Sequence, residues 1–202
     1  DIDMGFDTNR TVVTIVGQPE EIFKAAFHGI KRASELIDMK QHSGSHPRLG
    51  STDVCPLIPI SNVTDDECIK LSLKLGKKVG DELGIPIYLY EKSAKKSYRK
   101  KLPEIRKGEY EGLDEKLKNK KWVPDFGPSK MNISAGATVL GCRDFLIAYN
   151  INLNTKDSRL ATDIAFELRE IGRSKRISNP KSNNLLDGDI VRDKNGKAVK
   201  IP

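Results

Sequence analysis

A chain of 202 residues, 37% hydrophobic and 31% charged, can bury one large core or two small ones. No window approaches the length of a membrane span, and Asp1-Ile2-Asp3-Met4 has neither a basic n-region nor an apolar h-region, so a cytoplasmic protein is expected. The net charge of +7 asks for an anionic partner, but aromatic residues are only 6% and no base-stacking motif accompanies the basic runs at 92–107 and 116–121. That disfavours nucleic acid and leaves a solvated helix face or a channel for a small polyanion.

In chain order, residues 11–17 form a β-branched run ended by Gly17, and Pro19-Glu20-Glu21 opens a helix. Its apolar positions Ile22, Ala25, Ala26, Ile30, Ala33, Leu36 and Ile37 predict one buried stripe, with His28 as a structural residue inside it. Residues 54–60 carry Pro56 and Pro59 and read as an edge strand or extended segment. Thr64-Asp65-Asp66-Glu67 is a capping-box pattern, which predicts a helix over 65–83 closed by Gly84. A strand over 85–90 follows, and a right-handed connection to the strand at Val54 would make a βαβ-like unit.

Residues 91–126, broken by Pro103, Gly108, Gly112 and Pro124, predict short helices on the surface. Two strands are expected at 137–140 and 145–153, joined by a turn at 141–144. A helix over 157–171 ended by Gly172 comes next, then a hairpin over 191–201 turning at Asn195-Gly196. Both chain ends read as cut relative to a natural domain.

The densest chemistry lies in His46-Pro47-Arg48-Leu49-Gly50 and Asp53-Val54-Cys55-Pro56. Pro47 biases His46 toward an extended conformation, so the imidazole is expected to project from a loop with Arg48 and Asp53 within reach. Imidazole titrates near neutrality, which makes His46 the leading candidate for proton transfer, with His42 as a partner or surface residue. Cys55 could be a nucleophile, but it stands in an apolar run and reads as a buried, inert thiol. The three cysteines, Cys55, Cys68 and Cys142, show no CxxC spacing, and His42 with His46 lacks both the helix and the glutamate of a zinc motif, so no metal is expected.

Asp125-Phe126-Gly127 resembles a kinase triplet without the rest of the kinase signature, so that likeness is chance. What remains there is a Gly- and Ser-containing loop that could admit a flat ligand to its backbone, or an ordinary surface loop. Asp3 reads as a cap or turn residue unless the sheet brings it near His46.

Several ordered blocks together resemble the formiminotransferase domain of the glutamate formimidoyltransferase family. They include Asp1-Ile2-Asp3, Asn9-Arg10-Thr11-Val12, Val16-Gly17-Gln18-Pro19-Glu20, the His46 and Asp53 segments, Pro86-Ile87-Tyr88-Leu89-Tyr90, Gly108-Glu109-Tyr110-Glu111 and Pro124-Asp125-Phe126-Gly127-Pro128. The resemblance implies an α/β (α+β) fold with helices on the outer face of a mixed sheet. It implies an N-terminal subdomain over 1–145 and the start of a ferredoxin-like C-terminal subdomain over 146–202, since members carry an earlier strand and helix and a longer C-terminal part.

It also implies transfer of a formimino group between glutamate and N5 of tetrahydrofolate, a co-substrate, in histidine degradation. A homodimer and a cyclodeaminase partner come with it. His46 would be the catalytic base and Asp3 the carboxylate that steadies the cationic carbon. Folate would bind along Gly127, Pro128, Ser129, Lys130, Met131, Asn132, Ile133, Ser134, Ala135 and Gly136, and Arg48 or nearby lysines would hold substrate carboxylates. The alternatives are a non-catalytic folate-binding homologue, a formyl-transferring variant, or a basic nucleic-acid-binding domain.

Overall fold

The computed structural model describes residues 1–147, 151–168, 173–183 and 188–201. The chain divides into two compact units, Asp1–Leu146 and Ile147–Pro202.

In the first unit, β1 (Ile2–Gly5) and β2 (Arg10–Val13) form an antiparallel hairpin in which Asp3 faces Val12 and Gly5 faces Arg10. Asn9 takes φ 46 at the turn, a left-handed conformation that asparagine tolerates. The strand expected at 11–17 therefore starts one residue earlier and ends at Val13, beyond which Thr14 still exchanges both backbone bonds with Asp1, its amide donating to the Asp1 carbonyl and its carbonyl accepting the Asp1 ammonium. Asp3, expected as a cap or turn residue, lies inside β1.

Helix α1 (Pro19–Leu36) begins at its proline as expected, but its buried face is Phe23, Phe27 and Ile30, while Leu36 and Ile37 are exposed. The aromatic rings at i and i+4 take the core and turn the stripe by one residue. His28 is accordingly on the exposed side, edge-on to Phe27. Strand β3 (Val54–Leu57) and helix α2 (Asp65–Leu83) come next. The capping box forms as read, with the Glu67 amide donating to Thr64 Oγ1 at 3.3 Å and the Thr64 amide to Glu67 Oε2 at 2.8 Å. Gly84 closes the helix at φ 61.

Strand β4 (Ile87–Leu89) is followed by the short helices α3 (Leu102–Arg106) and α4 (Leu113–Lys118) and then by β5 (Thr138–Cys142). The sheet order is β3-β5-β4, all parallel. The βαβ unit exists with β5 inserted between its two strands, which leaves the proline-bearing β3 at an edge. The α/β class holds, its mixed character shared between this parallel sheet and the separate antiparallel pairs.

Every residue of β5 is buried, so both faces of the sheet are covered. Leu140 packs with Phe23, Phe27, Leu75, Val79 and Ile87 beneath α1 and α2. Val139 packs on the other face with Tyr88, Tyr90, Ile105, Leu113 and Leu117. The segment expected to be surface helices is thus a second covering layer. Burial of each such leucine or isoleucine stabilises the fold by about 2 kcal/mol.

The expected turn at 141–144 is also corrected, because Gly141 and Cys142 continue β5. A Cβ at Gly141 would lie 2.5 Å from the Tyr90 carbonyl, so glycine here serves a close strand approach and not a turn. The second expected strand is absent at 145–147 and 151–153, and 148–150 lie outside the described residues.

In the second unit, α5 (Ser158–Leu168) realises the expected helix, whose remainder at 169–171 and closing Gly172 lie outside the described residues. Strand β6 (Arg173–Ser174) pairs with β9 (Lys200–Ile201), and β7 (Arg176–Ile177) with β8 (Asp189–Ile190). The expected final turn forms with Gly196 at φ 77, the Asp193 carboxylate accepting from the Asn195 and Lys197 amides, and Arg192 bridged to Ala198.

Candidate active site

All the site residues expected from sequence fall in the first unit, on two loops and the β1–β2 hairpin. Backbone bonds join the two loops. The Ser51 amide donates to the Ala135 carbonyl at 2.9 Å, the Ala137 amide to the Leu49 carbonyl at 3.1 Å, and Gly50 bridges to Gly136. A Cβ on Gly50 would strike the Ala135 and Ala137 carbonyls, and one on Gly136, at φ 69, would strike the Leu49 carbonyl. Two facing glycines therefore let the end of the 127–136 loop lie directly against the chain just after His46-Pro47-Arg48.

The start of that loop is fixed from the core. Arg99, 1% exposed, donates to Asp125 Oδ2 at 3.0 Å and to the Lys121 and Val123 carbonyls at 2.8 Å, and Asp125 also accepts the Leu89 amide. Gly127, at φ 78, packs on Gly80 of α2. Between these anchors Asn132 folds the loop on itself, accepting the Ala135 amide and the Ser134 hydroxyl on Oδ1. Ala135 and Gly136 are buried and Met131 packs against the second core layer, whereas Pro128, Ser129, Lys130, Ile133 and Ser134 are exposed. A ligand lying on this loop would meet those five.

The hairpin tip is tied to the histidine loop. Asn9 Nδ2 donates to the Ser43 carbonyl at 2.7 Å, and Ser45 gives both its amide and its hydroxyl to the Asp7 carbonyl. His42 Nε2 meets the Asn9 carbonyl at 2.8 Å while its Nδ1 accepts from Arg48 Nε at 3.4 Å, which makes it the Nε2–H tautomer.

His46 is the opposite tautomer. Its Nδ1 faces the Pro47 carbonyl at 2.7 Å and must donate, and its Nε2 faces Arg10 Nη1 at 2.6 Å and must accept. The ring is neutral in this arrangement, with its lone pair directed at Arg10. Arg10 and Asp3 share one face of the hairpin, by the alternation of side chains along paired strands. Among the described residues no hydrogen bond or ion pair joins Asp3 to Arg10 or to His46, so the shared hairpin face is what relates it to the histidine's partner.

The expected trio of His46, Arg48 and Asp53 separates. Arg48 gives Nη1 to Glu109 at 3.1 Å and Glu111 at 2.8 Å, Nη2 to Glu111 at 2.6 Å and the His42 carbonyl at 3.1 Å, and Nε to His42. The hydrogen bonds to Glu111 hold the guanidinium above its ordinary pKa, and Arg48 holds Glu111 below the usual carboxylate range. Asp53 accepts the Leu49 amide at 2.9 Å and pairs with Arg106. Both residues hold the loop on which His46 is carried.

Cys55 stands against the core, and burial pushes its thiol up to about 11, too high for a thiolate at neutral pH. Among the described residues no cluster of histidine, cysteine and carboxylate is arranged for a metal ion, and no helix is long and apolar enough to cross a membrane.

Residues 1–143 match the formiminotransferase domain, N-terminal subdomain. The chain belongs to that family. It is 54% identical over 174 residues to the formimidoyltransferase-cyclodeaminase of Dictyostelium discoideum, covering 86% of this chain and 32% of that protein. It is 46% identical over 164 residues to the glutamate formimidoyltransferase of Streptococcus pyogenes serotype M1, covering 81% and 55%. With the glutamate formimidoyltransferase of Thermoplasma acidophilum the identity is 47% over 171 residues, covering 84% and 56%. The chain thus spans between a third and just over half of these relatives' length.

For this formiminotransferase subdomain, residue-by-residue reading of the sequence missed the parts that place the histidine. Arg10 stood out only as part of a family block, and Asn9 was not read as a tether. Glu109 and Glu111 lie in the turn between α3 and α4, with Glu109 at φ 53, and it is this turn, with no local sequence pattern to announce it, that aims both carboxylates at one guanidinium.

Proposed function

We propose that the chain supplies the catalytic histidine for formimino transfer between N-formimino-L-glutamate and N5 of tetrahydrofolate, as the resemblance implies. The observation that carries this reading is the backbone seam at Leu49–Ser51 and Ala135–Ala137, which sets the loop bearing His46 beside the loop proposed for folate. In the transfer, N5 attacks the amidine carbon and a tetrahedral carbon forms. His46 Nε2 takes the N5 proton and delivers it to the glutamate nitrogen as the C–N bond to glutamate breaks. One imidazole serves both directions. Asp3 steadies the amidinium-like carbon, and the pterin lies along the exposed 128–130 and 133–134 stretch of the loop.

The relatives' names carry a formimidoyltransferase and, in one, a cyclodeaminase, and with the family resemblance the wider reading is a cytoplasmic, homodimeric transferase of histidine degradation that works with a cyclodeaminase. A coupled assay with formiminoglutamate and tetrahydrofolate tests the reaction. Formation of 5-formiminotetrahydrofolate is expected. Folinate binding with no transfer of any one-carbon group would replace the enzyme reading with a folate-binding one, and transfer from formylglutamate alone would change the group carried.

A further inference from the structure

Resting on the reading of His46 as the proton shuttle, we infer that Arg10 is the receptor for a carboxylate of the glutamate substrate, and that taking this carboxylate uncovers the His46 lone pair. Nε2 cannot accept a substrate proton while the Arg10 guanidinium donates to it at 2.6 Å. The unliganded site therefore holds its base masked, and something must draw Arg10 away.

The hydrogen-bond inventory says what that is. A guanidinium has five N–H donors. At Arg48 all five are taken, by two glutamate side chains, the His42 ring and the His42 carbonyl, so this residue has no donor left for a substrate carboxylate. Among the described residues the Arg10 side chain has one hydrogen bond, to His46, it is exposed, and no carboxylate lies within ion-pair distance of it. A carboxylate accepts two parallel charge-assisted bonds from a guanidinium, where a neutral imidazole nitrogen accepts one. A substrate carboxylate consequently outcompetes the ring. Arg10 sits on the same hairpin face as Asp3, so a substrate held there by its carboxylate lies beside the residue proposed to steady its cationic carbon.

The device selects for substrate chemistry. An amine with no carboxylate leaves Arg10 on His46 and the base masked, so deprotonation is tied to occupancy by an acidic substrate.

Imidazole nitrogen-15 spectra of the full chain, titrated with L-glutamate, test this. In the wild type, Nε2 is expected to move from a hydrogen-bonded to an unmasked position as glutamate is added, and the diamide of glutamate is expected to leave it unmoved. Arg10→Gln, an exposed substitution checked for folding by its backbone amide spectrum, is expected to start unmasked. It is also expected to bind glutamate about 10- to 100-fold more weakly by calorimetry. Unchanged glutamate affinity in Arg10→Gln, or movement of Nε2 with the diamide, would overturn the inference. The base reading beneath it stands or falls separately, on whether His46→Ala still transfers the formimino group.

Discussion

The two supports of the candidate site are built on opposite principles. The folate-loop side is cast into the core: β5 is buried throughout, glycines meet glycines at Gly50–Gly136 and Gly80–Gly127, and the buried Arg99–Asp125 pair pins the loop's entry. The β1–β2 hairpin that carries Asp3 and Arg10 has eight exposed strand residues and is held to the histidine loop by a handful of hydrogen bonds at its tip. One side provides a fixed surface against which a flat ligand can be positioned. The other keeps charged side chains free enough to exchange partners, as Arg10 must if His46 is to act.

The contrast is sharpest at the glycine seam. Gly50→Ala drives a methyl into two backbone carbonyls that have no room to withdraw, and it is expected to destabilise by at least about 3 kcal/mol in urea unfolding. A loss under about 1 kcal/mol would mean that the two loops are not locked together.

Asp125→Ala strands the Arg99 guanidinium in the core beneath the loop entry, with an expected cost of about 3–5 kcal/mol. Asp125→Asn, which keeps acceptors for Arg99 and the Leu89 amide in place, should recover part of that loss.

A smaller effect is expected at Glu111, whose carboxyl Arg48 holds below its ordinary range. A depressed folded-state pKa gives stability that is present above the usual carboxylate pKa and is lost as pH falls through the depressed one. The stability difference between wild type and Glu111→Gln should therefore narrow as pH falls from about 6 to about 3. A difference that stays constant across that range would show the pair to be without weight.

The smallest effect belongs to the hairpin. Met4, 78% exposed, should tolerate serine within about 0.5 kcal/mol, and a larger loss would show the hairpin to be packed after all.

The same divide decides what could be read from sequence. Helix α2 was legible to the residue because its signals are local: a Thr64–Glu67 box at one end and a left-handed Gly84 at the other. The position of β5 between β3 and β4 was not, since a fully buried strand shows neither alternation nor a turn signal, and Gly141 resembled a turn when its role is close approach to Tyr90. Within the site, His46 announced itself through chemistry and its Pro-Gly setting. Its partner Arg10 is an ordinary strand residue until the hairpin folds back on residues 42–46, a contact 36 positions apart in sequence. For the same reason the Arg48–Asp53 neighbourhood was misjudged: closeness along the chain suggested one cluster, and the fold turned each toward a different charged partner.

The central claim is that His46 moves the proton. His46 is half-buried, and among the described residues its ring bonds to Arg10 and its neighbour's carbonyl alone, so His46→Ala should fold as the wild type does. The direct measurement is the rate of formimino transfer from formiminoglutamate to tetrahydrofolate in His46→Ala, with folinate binding measured alongside to show an intact site. A fall of about 10²- to 10⁴-fold in turnover with folinate affinity retained is predicted. Near-normal transfer by the folded variant would contradict the account.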